Sequence, residues 1–180
     1  LCGVRRGGSY DSSGYIYFLG WAEDTTYKLT DNCYQSHYYD DFRNGYFFLT
    51  KFDWKSNNVL FSSGFSGRIG DGIISDRECD LQIDNMNNIY FTFVTLCGPL
   101  PTTPDAFQDT IVFEKECYIC KLSANGKELK YASYFGGSSY DYPSAMAVKD
   151  DGLVYIVGHT FSRDFPFSNA EAFQGGIEIF

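Results

Sequence analysis

Apolar residues in this chain fall in short runs that alternate with polar positions, and clusters of Gly, Asn, Asp and Ser separate the runs. Alternation is the signature of a strand with successive side chains on opposite faces, and no long segment carries an apolar stripe at helical spacing. The pattern predicts little helix and a succession of hairpin-linked strands. Ile16–Gly20, Ile89–Val94 and Val154–Gly158 have the β-branched and aromatic make-up of interior strands. Short apolar stretches precede them at Leu81–Ile83, Ala145–Val148 and Gly3–Arg5, across polar turns. Tyr46–Phe52 and Cys117–Leu122 follow them after long loops. Turns at Asp53–Asn58 and Ser123–Glu128 then lead to fourth strands at Val59–Ser63 and Leu129–Tyr134.

These pieces recur in one order. Residues 46–67, YFFLTKFDWKSNNVLFSSGFSG, align without gaps to 116–137, ECYICKLSANGKELKYASYFGG, at an offset of 70. Ile16-Tyr17-Phe18 returns as Ile89-Tyr90-Phe91 and as Val154-Tyr155-Ile156, and Cys33-Tyr34-Gln35 as Ala106-Phe107-Gln108 and Ala172-Phe173-Gln174. Three anchors in the same order define a unit of 65 to 73 residues. One four-stranded sheet has two apolar faces and cannot cover both, so tandem units must stack. The expected fold is therefore all-β: tandem four-stranded antiparallel blades of a β-propeller. Residues 1–70 form repeat 1, 71–140 repeat 2 and 141–180 a partial repeat 3, about two and a half blades in all. A closed ring takes about 4–8 blades, so the rest is expected either from a longer chain or from copies that complete one another by strand addition.

The stretch LKYASYFGGSSYDYPSAMAVKDDGLVYIVGHTFSRDFP resembles the SBBP-type β-propeller repeat family. The resemblance is carried by Tyr134–Gly137, Asp141, Ala145–Val148, Asp151-Gly152, Val154–Gly158 and Phe165-Pro166. Earlier units match more loosely, with Asn87 where the last has Gly152 and Phe93 where it has Gly158. The resemblance implies a bacterial or archaeal secreted or cell-surface protein without catalytic activity.

Composition sharpens the picture. Aromatics make up 19% of the chain, as 15 Tyr, 17 Phe and 2 Trp, enough bulky side chains to fill spaces between sheets. The formal net charge of −9, with no Lys/Arg cluster, disfavours a nucleic-acid partner. No apolar run is long enough to span a bilayer, and Leu1–Tyr10 has no signal-peptide core. Six cysteines, Cys2, Cys33, Cys79, Cys97, Cys117 and Cys120, are widely spread, which suits disulfides in an oxidising compartment. Their connectivity stays open. Cys117 and Cys120 form a C-x-x-C, which invites a zinc or redox reading; within a strand, positions three apart point to opposite faces, which disfavours it.

Candidate chemistry is sparse. His37 and His159 lie far apart with no nucleophile motif near either, and GFSGRIGDG follows a strand but opens no helix, so a dinucleotide loop fails on context. Asp71 and Asp141 occupy matching bends, where an aspartate caps backbone N–H groups. Calcium is the sharper alternative for turn carboxylates, with Asp84, Asp150 and Asp151 as ligands, although the spacing is not that of an EF-hand. Tyr38 and Tyr39, with Trp21, would make a sugar-stacking platform; the plainer role is covering a blade edge. The leading expectation is a non-catalytic extracellular scaffold that binds proteins, including copies of itself, and a lectin-like propeller is the alternative.

Overall fold

The computed structural model describes residues 8–22, 27–37, 46–65, 79–95 and 100–166. All ten elements are strands. The first four are β1 (Gly8–Tyr10), β2 (Ile16–Ala22), β3 (Tyr46–Asp53) and β4 (Asn58–Phe65). They pair antiparallel in chain order as one sheet. A second sheet repeats that order with β5 (Cys79–Ile83), β6 (Ile89–Thr95), β7 (Glu116–Leu122) and β8 (Leu129–Phe135). A hairpin of β9 (Asp141–Val148) and β10 (Val154–Thr160) follows.

Local chemistry explains the repetition. In the first turn of each unit Asp11, Asp84 or Lys149 accepts from the N–H three residues on: Gly14, Asn87 or Gly152. Those three have φ of 83°, 63° and 85°, the left-handed region that favours Gly and that Asn tolerates best among the rest. Asn87 thus replaces glycine without changing the turn. The third and fourth strands of both sheets carry a register shift at the same place, between Lys51 and Phe52 and between Lys121 and Leu122.

The first strand differs from the sequence expectation. It lies at Gly8–Tyr10, directly before the tight Asp11 turn, instead of at Gly3–Arg5, which falls outside the described residues. Gly-Ser-Tyr lacks apolar alternation, so nothing local marked it; its pairing with Tyr17 and Phe18 makes it a strand.

The two complete sheets pack face to face. Tyr17, Leu19, Leu49, Phe61 and Phe65 of the first meet Ile89, Phe91, Phe93 and Leu122 of the second in one buried core. Phe47 lies against Phe93 with ring centroids 4.1 Å apart, and Phe65 meets Phe91 at 4.8 Å. Gly20 holds the position of Phe93 in the first sheet, and a Cβ there would sit 2.5 Å from the Phe48 ring. The next junction follows the same scheme: β9 packs on β5, β6 and β7, and Asp80 of β5 accepts the Met146 N–H at 2.7 Å.

The long loop between second and third strands seals the outer edge of each sheet. Thr30 and Gln35 bond along β4: the Thr30 N–H donates to Ser62 O, and Gly64 donates to Gln35 O. Thr103 and Gln108 repeat this on β8, through Ala132 O and the Tyr134 N–H. Gln35 and Gln108 are the recurrent glutamines of the sequence, and their recurrence reflects this edge.

Candidate functional site

Three regions concentrate polar or unfilled surface. The first is a latch repeated at the turns. Asp11 accepts from the Ser13 and Tyr15 N–H groups and from the Tyr17 hydroxyl at 2.8 Å, and Lys51 ion-pairs with it at 3.1 Å. Lys51 also lies over the Tyr17 ring. Burial alone would raise the Asp11 pKa; the hydrogen bonds from Tyr17 and Lys51 outweigh it and hold the carboxyl below its ordinary value. Asp84, Tyr90 and Lys121 repeat the hydroxyl and ring contacts, with the Tyr90 hydroxyl donating to Asp84 at 3.3 Å and Lys121 over the Tyr90 ring at 4.7 Å. In the third unit Lys149 stands at the place of the aspartate and Tyr155 at that of the tyrosine. Sequence reading missed the latch, although its signal was present: the Asp and Tyr recur at an offset of 73 and the Lys at 70.

The second region lies between the second sheet and the β9–β10 hairpin. Asp141 is buried; its Oδ2 accepts from the Gly137 N–H and from the Ser162 hydroxyl, both at 2.8 Å. Its Oδ1 has no hydrogen-bond partner. Glu116, also buried, accepts from the Val112 and Phe113 N–H groups and from the Gln108 amide. Burial pushes the Glu116 carboxyl up, the nearby Asp141 charge adds to this, and the hydrogen bonds act against it. Asp141, Cys117 and His159 line one cavity of about 360 Å³. Burial pushes the Cys117 thiol up to about 12, away from the thiolate form. His159 is exposed and stacks on Tyr142 at 4.8 Å.

The third region is the β9–β10 hairpin. Among the described residues β10 pairs only with β9. Tyr155, Val157 and Phe161 are exposed there. Beside it a groove of about 560 Å³ is walled by Ile119, Tyr131 and Phe135 of the second sheet and by Val154 and Ile156 of β10.

The candidates from sequence scatter over this framework. Asp84 sits in the β5–β6 turn with both oxygens engaged, by the Met86 and Asn88 N–H groups and by the Asn88 and Tyr90 side chains. Asp150 and Asp151 are exposed in the β9–β10 turn, where Asp151 accepts the Leu153 N–H. No group of three or more His, Cys, Asp or Glu suited to a metal ion occurs among the described residues. Trp21 lies in β2 opposite Phe47, whereas Tyr38 and Tyr39 lie outside the described residues. Cys2, Cys97 and Asp71 also lie outside them. Cys117 and Cys120 point to opposite faces of β7, Cys120 into the core between the complete sheets and Cys117 toward the cavity and the Thr92 hydroxyl. Both are free thiols, so that motif does not converge on one ligand. Cys33 is a free thiol that donates to Thr30 O, and Cys79 lies in β5 opposite Phe93. Asp141 caps the Gly137 N–H, the role a recurrent aspartate at a bend commonly plays.

No helix among the described residues is long and apolar enough to cross a membrane. No protein-family model matches the sequence, and the search of curated proteins returned no match.

Proposed function

We propose that the chain is a run of SBBP-type β-propeller blades that serves outside the cell as a non-catalytic scaffold for polypeptide partners, copies of itself among them. One observation supports this reading: two antiparallel four-stranded sheets repeat one strand order and one register shift and pack face to face in a single buried core. The latches and buried carboxylates already accept hydrogen bonds from their own chain, a structural use. A lectin role rests on Tyr38, Tyr39 and Trp21, of which Tyr38 and Tyr39 lie outside the described residues, and a calcium role on Asp84, Asp150 and Asp151, which belong to no group of three or more metal-binding side chains among the described residues.

Light scattering and electron micrographs over a range of protein concentration test the proposal. Concentration-dependent association is expected. A chain that stays monomeric at every concentration would overturn the scaffold reading, and hydrolysis of model esters or phosphates would overturn its non-catalytic part.

A further inference from the structure

We propose that Asn125 is a site of spontaneous deamidation, in which the Gly126 backbone nitrogen displaces the side-chain ammonia, and that the isoaspartate product unseats Phe61 from the first junction. The chemistry does not depend on the scaffold reading, because it is a property of one turn and its neighbour.

Asn125 is exposed in the β7–β8 turn and is followed by Gly126. Every other described asparagine precedes a residue with a side chain, which crowds attack by the following nitrogen; Asn57 and Asn87 precede Asn58 and Asn88. The Asn125 amide oxygen accepts two hydrogen bonds, from the Ser123 hydroxyl at 2.7 Å and from the Lys127 N–H at 3.1 Å. Two donors on one carbonyl oxygen polarise it and stabilise the oxyanion that forms when a nucleophile adds to its carbon. Ser123 is held in place in turn, since its hydroxyl oxygen accepts the Glu128 N–H at 3.0 Å. One contact opposes the reaction: the Gly126 N–H donates to Ser123 O at 2.8 Å and must let go before the nitrogen attacks. Asn125, Lys127 and Glu128 are exposed around it, so water takes over that carbonyl when the bond opens, and the two donors offset the loss.

The bonds balance as follows in the turn. The Gly126 nitrogen gives its proton to solvent hydroxide and bonds to Asn125 Cγ; the Cγ–Nδ2 bond breaks, and the amide nitrogen takes a proton from water and leaves as ammonia. Water then opens the cyclic imide at either carbonyl, giving aspartate or isoaspartate. Aspartate keeps the main chain at its original length. Isoaspartate inserts a methylene ahead of Gly126, where there is no room: a Cβ on Gly126 would already sit 2.5 Å from the Phe61 ring. Phe61 is buried in the core between the two four-stranded sheets, so a displaced turn loosens that junction.

Peptide mapping of the folded protein at mildly alkaline pH tests the site, since cleavage after Lys121 and Lys127 releases LSANGK. Acid is expected to accumulate at position 125 at least as fast as in the free peptide LSANGK, which lacks the fixed donors, while Asn57 and Asn87 keep their amides. Conversion about tenfold slower than in the free peptide would overturn the site. Ser123→Ala is expected to slow conversion about tenfold, the worth of one hydrogen bond to the transition state, and an unchanged rate would overturn the role of the donors. The isoaspartate form, separated by chromatography, should unfold at lower denaturant concentration than the Asn125→Asp protein. Equal midpoints would overturn the effect on Phe61.

Discussion

The two junctions between sheets use equivalent residues to different ends. Leu49, Phe61 and Phe65 line the first junction and are 0%, 3% and 3% exposed. Ile119, Tyr131 and Phe135, their counterparts at an offset of 70, line the second and are only half-buried. Chemistry does not explain the difference, since both sets are aliphatic and aromatic. What differs is the cover. Leu49 and Phe61 face a four-stranded sheet, whose Gly126 turn lies under the Phe61 ring, whereas among the described residues Ile119 and Tyr131 face the two strands β9 and β10. In a stacked architecture the worth of an apolar residue is set by the cover its neighbour gives, and one repeat is an incomplete thermodynamic unit.

The largest expected effect would break this comparison directly. Phe65→Ala should cost about 3–5 kcal/mol in denaturant unfolding, the range for a buried aromatic, and Phe135→Ala about 1–2. Equal losses would mean that the second junction is already as tightly packed as the first. Next come the turn glycines. Gly126→Ala meets both a φ of 69° and the Phe61 ring 2.5 Å from the new Cβ, and should cost about 2–3 kcal/mol. Gly152→Ala has a similar φ of 85° but open space, so about 1 kcal/mol is expected. Calorimetry of the pair separates backbone strain from sheet contact.

The smallest effect is one of pH. Glu116 has its pKa raised in the fold, so the folded state holds this proton more tightly than the unfolded chain does. Its contribution to stability is greatest below the unfolded value and falls as pH rises through the folded one. Glu116→Gln should flatten that decline in unfolding midpoints measured from acid to neutral pH. An unchanged slope would assign the decline to other groups.

Much of the fold was legible because the repeat states it more than once. Ile16-Tyr17-Phe18 and its two echoes marked the second strands, and the Tyr46 and Cys117 segments the third. The recurrent glutamine was visible too, though its reason, a loop laid along β4 and β8, lies in long-range pairing that no local pattern encodes. β1 was missed because three small or polar residues become a strand only through a partner. Glu116 was hidden for a related reason. It opens a strand, where a carboxylate is commonly solvated, and burial with amide donors emerges only when the Gln108 loop folds back. The latch was overlooked because its lysine lies far along the chain from its aspartate and tyrosine.

The loops bearing Gln35 and Gln108 have a directional consequence. By occupying the ladder beside β4 and β8 they deny that rim to chance lateral annealing, the route by which β-rich chains form ribbons. Association sideways is thus suppressed along this edge of both four-stranded layers.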